Sequence, residues 1–230
     1  DEQGSLQIEV ESPLAAPILE VYLEERSEPR RLDSFVISGR VTCNTRVFTL
    51  TQGINTFRLR ASEEYREAPS DPSITEAFAF RQISFVRASK LPAGTAINVG
   101  FGDPLRLRGW SVSAPTSDSQ GEVRVTLQWE KVAELDHRHV GFVHLISPQG
   151  DLIDQYDSPL VEKEARASEW PEETIRTYQA ALKLPKGWQT GDYYVLIGVY
   201  LWPELKRLPV TGSSPGSEID VLRVPLRLTR

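Results

Sequence analysis

The chain has 230 residues, a formal net charge of −6 and a single cysteine, Cys43. An acidic chain argues against general nucleic-acid binding, which needs a basic surface, and one cysteine excludes an internal disulfide. The longest uninterrupted apolar run, residues 193–202, has ten residues, whereas a membrane-spanning helix needs about twenty. The sequence therefore predicts a folded chain without a transmembrane helix, and its composition names no activity.

Short segments with alternating apolar and polar side chains predict strands throughout the first half. Residues 6–10 (LQIEV) alternate strictly, as a half-buried strand does. Further segments of strand composition follow, and these are residues 18–23, 35–37, 47–50, 56–59 and 77–86. A cluster of turn-forming residues at 89–95 then predicts a break in the chain.

The second half of the chain also consists of short segments with strand-like composition. Residues 123–129 alternate over seven positions, which places Trp129 on the apolar face with the core. Residues 140–146 are apolar on both faces, as in a central strand. The remaining predicted strands are residues 105–110, 152–156, 178–184, 193–200 and 221–228. Helix-forming composition occurs at residues 160–168, a segment too short to be a stable helix alone.

These patterns predict an all-β fold with very little helix. The sixteen prolines and fifteen glycines, spread among short strands, are typical of sandwiches and barrels. We expect two antiparallel β-sandwich modules in tandem, jelly-roll or immunoglobulin-like, with residues 1–92 in the first and residues 93–230 in the second.

Motifs for catalysis are missing from the sequence. There is no Gly-x-Ser-x-Gly elbow, no Walker loop and no dinucleotide fingerprint. Cys43 stands at the edge of a predicted strand and is expected to be a structural thiol. The sequence therefore predicts no catalytic residues and no enzyme, with a jelly-roll glycoside hydrolase kept as an alternative.

Polar residues around the predicted hairpin of residues 140–159 give two further hypotheses. His144 lies in an apolar strand, so we expect a core histidine that hydrogen-bonds a carboxylate or a carbonyl. Asp154 to Asp157 across the hairpin are the candidate partners, and Asp157 is the second candidate for a polar core residue. Asp151, Asp154 and Asp157 could instead supply oxygen ligands to calcium, although their spacing lacks the glycine-containing loop of an EF-hand. The expectation is no cofactor and no metal, with calcium as the weaker alternative.

Three tryptophans, Trp170, Trp188 and Trp202, each adjoin a proline or glycine in a predicted loop. An exposed tryptophan ring can stack on a sugar ring, so these residues are the candidates for glycan stacking. The competing interpretation is that a loop tryptophan covers the edge of a core.

The order of several motifs in the second half carries a family resemblance. These motifs are FGDPLRLRGW (101–110), VTLQW (125–129), FVHL (142–145), QYDSP (155–159), GDYYVLIGVY (191–200) and RLPV (207–210). The region resembles the C-terminal extracytoplasmic β-sandwich of membrane glycosyltransferase-like proteins of the dolichyl-phosphate-mannose-mannosyltransferase type in Chloroflexi-like bacteria. The resemblance implies an extracytoplasmic location at the cell envelope. It implies no catalytic residues, because the transferase chemistry of those proteins belongs to their membrane part.

The leading interpretation is therefore a non-catalytic extracytoplasmic β-sandwich accessory module that contacts an envelope glycan or a membrane-protein partner, and not nucleic acid. A carbohydrate-binding module that uses its loop tryptophans is the first alternative. A jelly-roll hydrolase is the second, and a peripheral subunit of a larger envelope assembly is the third.

Overall fold

The computed structural model describes residues 2–12, 17–25, 28–50, 53–62, 78–90, 94, 97–115, 121–161, 170–212 and 216–229. These residues are nearly all β, and Ala88–Lys90 forms one turn of 3-10 helix. Most of the helix-prone segment 160–168 lies outside the described residues. Within them, no helix has the length and hydropathy needed to cross a membrane.

The described residues form seventeen strands. In chain order they are β1 (Glu2–Ser12), β2 (Ile18–Glu24), β3 (Arg30–Val36), β4 (Gly39–Asn44), β5 (Phe48–Leu50), β6 (Thr56–Ala61), β7 (Ala79–Arg87), β8 (Val99–Phe101), β9 (Leu105–Ser113), β10 (Glu122–Lys131), β11 (His139–Ile146), β12 (Leu152–Pro159), β13 (Ile175–Lys183), β14 (Gly191–Leu201), β15 (Lys206–Arg207), β16 (Val210–Thr211) and β17 (Leu222–Leu228).

The strands form three sheets. Sheet A is built on β1, which pairs with β4 and β5 along one edge and with β7 along the other. Sheet B has eight strands in the order β16-β8-β9-β10-β13-β3-β2-β6. Sheet C has the path β12-β11-β14-β15, and β17 also pairs with β14.

Sheet B runs through both halves of the chain. Its strands from the second half end at β13, which pairs in parallel with β3 from the first half through Ile175–Phe35 and Arg176–Val36. The other neighbouring strands in this sheet are antiparallel. The two halves are therefore joined by backbone hydrogen bonds as well as by side-chain packing.

Two hydrophobic clusters lie against sheet B. The larger cluster holds buried side chains of β8, β9, β10, β11, β14 and β17, together with Ile18 and Val36 from the first half. The smaller one holds side chains of β1, β2, β3 and β4, together with Ile175 from the second half. Each cluster thus takes residues from the other half of the chain. The module boundary at residues 92 and 93 stays a prediction.

The all-β fold class predicted from the sequence is confirmed, with sheets packed as sandwiches. Trp129 is 1% exposed in the larger cluster, as the alternation of β10 predicts, and Cys43 is buried in the smaller one. The strands β4, β8, β15 and β16 were not predicted from the sequence. The last three are two or three residues long, too short to show an alternating pattern.

Candidate functional site

The candidate site is a cavity of about 470 Å³ where sheet A meets sheet B, which we call the seam groove. Its size lies within the range of small-ligand pockets. Sheet A contributes Gln7, Glu9, Arg40, Val41, Thr42 and Asn44, and sheet B contributes Gly109, Trp110, Ser111, Thr126, Gln128, Thr177 and Gln179. Most of these side chains carry uncharged amides or hydroxyls.

Strand alternation places the polar side chains of sheet A in the groove. In β1, Ile8 points into the smaller hydrophobic cluster, so its neighbours Gln7 and Glu9 point to the opposite face. In β4, Cys43 points into the cluster, and Thr42 lies across the strand pair from Glu9. The groove wall is therefore the face of sheet A that the core does not use.

The floor of the groove continues a face of sheet B that is apolar elsewhere. Ile175 pairs with Phe35, and both lie in the smaller cluster. Further along β13, Thr177 and Gln179 have the same parity as Ile175, so they extend that face. The apolar surface therefore changes into a polar one at the point where sheet A stops covering it.

One side chain links wall and floor. Gln128 Nε2 donates a hydrogen bond of 3.0 Å to the backbone oxygen of Thr42. β4 pairs with β1 in sheet A and is an end strand of that sheet. The carbonyl oxygen of Thr42 in β4 therefore accepts a hydrogen bond from a side chain of sheet B. Gln128 is 4% exposed, so burial and this hydrogen bond hold its amide in a fixed position in the groove.

Two contacts within sheet A arrange the rest of the wall. Gln7 Nε2 donates to Asn44 Oδ1 at 3.2 Å, which aligns the two amides. Arg40 Nε donates to Glu9 Oε1 at 2.8 Å, and the Arg40 Nη2 group donates to the same oxygen. The hydrogen bond and charge of Glu9 raise the pKa of Arg40. Glu9, the one carboxylate in the described lining of the groove, is therefore neutralised by an arginine.

A second cavity of about 300 Å³, which we call the charged cavity, adjoins the same face of sheet B. Its cationic residues are Arg31, Arg46, Arg106, Arg108 and Lys131, and its carboxylic acids are Asp33, Glu130, Glu172 and Glu173. Gln128 lines the seam groove and Glu130 lines the charged cavity. The two cavities are therefore neighbours along β10.

Buried carboxylates hold the charged cavity in shape. The Asp33 side chain is 1% exposed, accepts from the backbone N–H of Arg46 at 2.6 Å and accepts from Arg46 Nη2 at 2.8 Å. Burial lowers the pKa of Arg46, but the hydrogen bond and charge of Asp33 outweigh burial, and the result is a raised pKa. Arg108 Nη1 lies 3.3 Å from Glu130 Oε2.

The outer face of sheet C holds the predicted His144 and Asp157. His144 Nε2 lies 3.2 Å from Asp157 Oδ1, and the Tyr200 hydroxyl donates to Asp157 Oδ2 at 3.1 Å. The Phe142 ring packs 4.6 Å from the imidazole, with the Arg207 guanidinium 5.0 Å from the centre of that ring. In β11, Val143 and Leu145 point into the larger hydrophobic cluster, so His144 points to the opposite face of sheet C. The polar cluster and the seam groove therefore lie on opposite sides of that core.

The three candidate calcium ligands do not converge. Asp151 lies in the hairpin turn, where its backbone N–H donates to Ser147 Oγ. Asp154 and Asp157 have opposite parity in β12, so their carboxylates point to opposite faces of sheet C, and Asp154 accepts from the backbone N–H of Lys183. Among the residues that the structure describes, no group of three His, Cys, Asp or Glu side chains is placed to hold a metal.

The three loop tryptophans lie in different surroundings. Trp170 is 3% exposed, and its Nε1–H donates to the backbone oxygen of Thr174 at 3.1 Å, so its ring has no free face for a sugar. Trp188 is half-buried against the larger cluster. Trp202 is 54% exposed. Because Trp188 precedes β14 and Trp202 follows it, the eleven residues of that strand keep the two rings apart.

None of the seam-groove residues was predicted from the sequence as a site residue. The sequence feature that marks these residues is an uncharged polar side chain at alternate positions of a strand. Thr126 and Gln128 in β10 and Thr177 and Gln179 in β13 show this feature. A polar face that meets only solvent usually carries charged side chains. Uncharged amides and hydroxyls on adjacent strands are the pattern that could have indicated this surface.

No protein-family model matches the chain, and no curated protein matches it by sequence. Several solved structures are distantly similar to the chain. The C-terminal domain of Wzt is 13% identical, with a TM-score of 0.36 over 61% of this chain and 83% of that chain. A glycosyl hydrolase family 2 member from Bacteroides cellulosilyticus is 10% identical, with a TM-score of 0.37 over 97% of this chain. A β-glucuronidase from Bacteroides uniformis is 14% identical, with a TM-score of 0.32 over 90% of this chain.

The chain spans 24% of the length of each of these two hydrolases. Similarity at this level does not establish a shared fold. It says nothing about activity, substrate or partner.

Proposed function

We propose that the chain is a non-catalytic β-sandwich module that binds a glycan in the seam groove. The observation that carries this proposal is the lining of the groove, in which side-chain amides and hydroxyls predominate. Each amide offers both donors and an acceptor, and each hydroxyl can do either. A polyhydroxylated ligand needs this mixture, because every sugar hydroxyl both donates and accepts.

Hydrogen bonds also fix two of the amide side chains that line the groove. Gln128 is held by the Thr42 carbonyl, and Gln7 is held by Asn44. Fixed polar groups bind with less loss of side-chain entropy than mobile ones. Sheet strands, rather than loops, supply these residues, which favours recognition of a defined ligand shape.

Two features support a binding role over a catalytic one. Among the described residues that line the groove, Glu9 is the one carboxylate and Arg40 neutralises it, whereas a glycosidase needs two carboxyl groups facing the sugar. Cys43 is fully buried, and burial raises the pKa of its thiol, so it is not a nucleophile. An extracytoplasmic location at the cell envelope is part of the proposal, and its support is the family resemblance of residues 99–228.

The alternative of a module that binds through loop tryptophans rests on Trp202, which is 54% exposed. A protein partner in the envelope, or a place in a larger envelope assembly, would also use exposed apolar residues of this kind. The exposed ring and the seam groove therefore make different predictions about where a glycan contacts the chain.

The test is glycan-array binding of the wild-type protein, followed by titration calorimetry on the best ligand. The double variant Thr177→Ala/Gln179→Ala removes two polar groups from the groove floor, and we expect it to weaken binding at least tenfold. Gln155→Ala, an exposed glutamine on β12, is the matched control and should bind like wild type. Loss of binding in Trp202→Ala, with normal binding by the groove variant, would favour the loop-tryptophan module. Absence of any glycan binding by the wild type would contradict the proposal.

A further inference from the structure

The charged cavity has an excess of cationic groups in an otherwise acidic protein. Its lining has five Arg or Lys residues and four Asp or Glu residues, although the whole chain carries a net charge of −6. The carboxylates are largely engaged, since Asp33 is held by Arg46 and Glu173 lies 2.7 Å from Arg31. Among the described residues that line the cavity, cationic side chains therefore exceed carboxylates by one.

Two arginines share one carboxylate in this cavity. Arg108 lies 3.3 Å from Glu130 and Arg106 lies 4.0 Å from the same oxygen. Each guanidinium has five N–H donors, so one carboxylate cannot accept hydrogen bonds from all the donors of two arginines. The Arg106 side chain is 48% exposed, which leaves its donors accessible to a ligand.

The two cavities are close enough for one ligand. Gln128 in the seam groove and Glu130 in the charged cavity are two residues apart on the same face of β10. At the usual rise of a strand, this separation is about 7 Å. Arg108 and Gly109 line the two cavities from consecutive positions in β9. A ligand that fills the groove therefore reaches the cavity without a long linker.

We propose that the charged cavity is an anion subsite, which takes a carboxylate, sulfate or phosphate group of an acidic glycan bound in the seam groove. Arginine forks match the paired oxygens of these groups. The acidic glycan as the source of the anion rests on the proposed function, whereas the anion subsite rests on the cavity alone.

The first test uses small anions and does not depend on glycan binding. Sodium sulfate, sodium phosphate and sodium glucuronate are titrated separately at constant ionic strength, with the arginine Nε–Hε signals followed by NMR. We expect saturable shifts that are confined to a few arginines and disappear in Arg31→Gln/Arg106→Gln. The three salts distinguish a tetrahedral from a planar oxyanion. Both arginine side chains are 45–48% exposed, so the variant should fold, which a melting curve checks.

The matched control is Arg81→Gln/Arg124→Gln, which changes the net charge equally. These two arginines pair with Glu11 and Glu122 outside the charged cavity. The control should keep the shifts. Absence of saturable shifts in wild type, or an equal loss in both double variants, would overturn the anion subsite.

The second test compares polygalacturonate with its carboxyl-reduced, neutral form. We expect the wild type to bind the acidic polymer at least tenfold tighter, and Arg31→Gln/Arg106→Gln to lose that preference. Equal binding of both polymers by wild type would contradict an acidic glycan as the source of the anion and leave the proposed function intact. Anion binding in the first test without binding to any glycan would support the subsite and contradict the proposed function.

Discussion

The two faces of β10 meet different surroundings, although they belong to one strand. Its inward side chains, Val123, Val125, Leu127 and Trp129, are at most 1% exposed in the core between sheets B and C. Its other face carries Arg124, Thr126, Gln128 and Glu130, which meet sheet A, the two cavities or solvent. Alternation therefore decides which residues form the core, but the role of the polar face depends on what packs opposite it.

The largest difference between the faces should appear in stability. Leu127→Ala removes a fully buried side chain and should lower the free energy of unfolding by about 2–5 kcal/mol. Thr126→Ala, one position away on the groove face, should change it by less than about 0.5 kcal/mol. Urea denaturation of both variants measures the contrast. Similar losses in the two would mean that the groove face is packed like a core.

A smaller effect is expected where the polar face is buried. Glu130 is 6% exposed and pairs with Arg108, so Glu130→Gln should lower the free energy of unfolding by about 1–3 kcal/mol. Glu122→Gln, at the exposed start of the same strand, breaks a surface pair with Arg124 and should cost at most about 1 kcal/mol. Chemical denaturation compares the two. A larger loss for Glu122→Gln would contradict the buried role of Glu130.

Gln128→Ala should have a modest effect on stability and a clear effect on binding. It removes the hydrogen bond to the Thr42 carbonyl, which should cost about 1 kcal/mol. It also removes a fixed amide from the groove, so glycan affinity should fall together with stability. The free energy of unfolding and the dissociation constant are measured on the same preparation. Unchanged glycan affinity would place the ligand elsewhere.

The smallest effect concerns a third polar surface, the outer face of sheet C. The pKa of His144 is lowered, chiefly because the side chain is buried. The charge and hydrogen bond of Asp157 raise this pKa, and the positive charge of Arg207 lowers it further, so the net shift is downward. Because the lowered pKa means that the folded protein binds this proton less readily than the unfolded chain, stability should fall as pH decreases below about 6.5. Denaturation midpoints between pH 7.5 and 5.5 should vary less in His144→Gln than in wild type.

His137→Gln is the control for the pH experiment, because His137 is exposed. It should retain the wild-type pH dependence. The same dependence in His144→Gln and wild type would show that another group titrates.

Much of the fold could be predicted from side-chain periodicity. The alternation of residues 123–129 placed Trp129 in the core, where it is found, because a half-buried strand must put every second side chain on the buried side. The parallel pairing of β13 with β3 could not be predicted in this way. It joins residues 140 positions apart in the chain, and no local pattern specifies which edges meet.

The site was harder to predict for the same reason. A carboxylate among Asp154 to Asp157 could be expected near His144, since a hairpin brings nearby residues together. In the structure His144 pairs with Gln155 across the hairpin, and Asp157 Oδ1 lies 3.2 Å from His144 Nε2. The seam groove needs Thr42 from β4 and Gln128 from β10, which the chain separates by 86 residues. Trp170 was predicted to be a ring-stacking candidate, but it is 3% exposed. Its burial depends on tertiary packing, which a local sequence pattern does not specify.

The most direct test of glycan binding in the seam groove is an NMR titration of the wild-type protein with the best ligand from the glycan array. The side-chain amide signals of Gln7, Asn44, Gln128 and Gln179 report on the groove, and the indole N–H signal of Trp202 reports on the exposed loop. The account predicts saturable shifts in the four amides and little change at Trp202. Shifts at Trp202 with unchanged groove amides would contradict it.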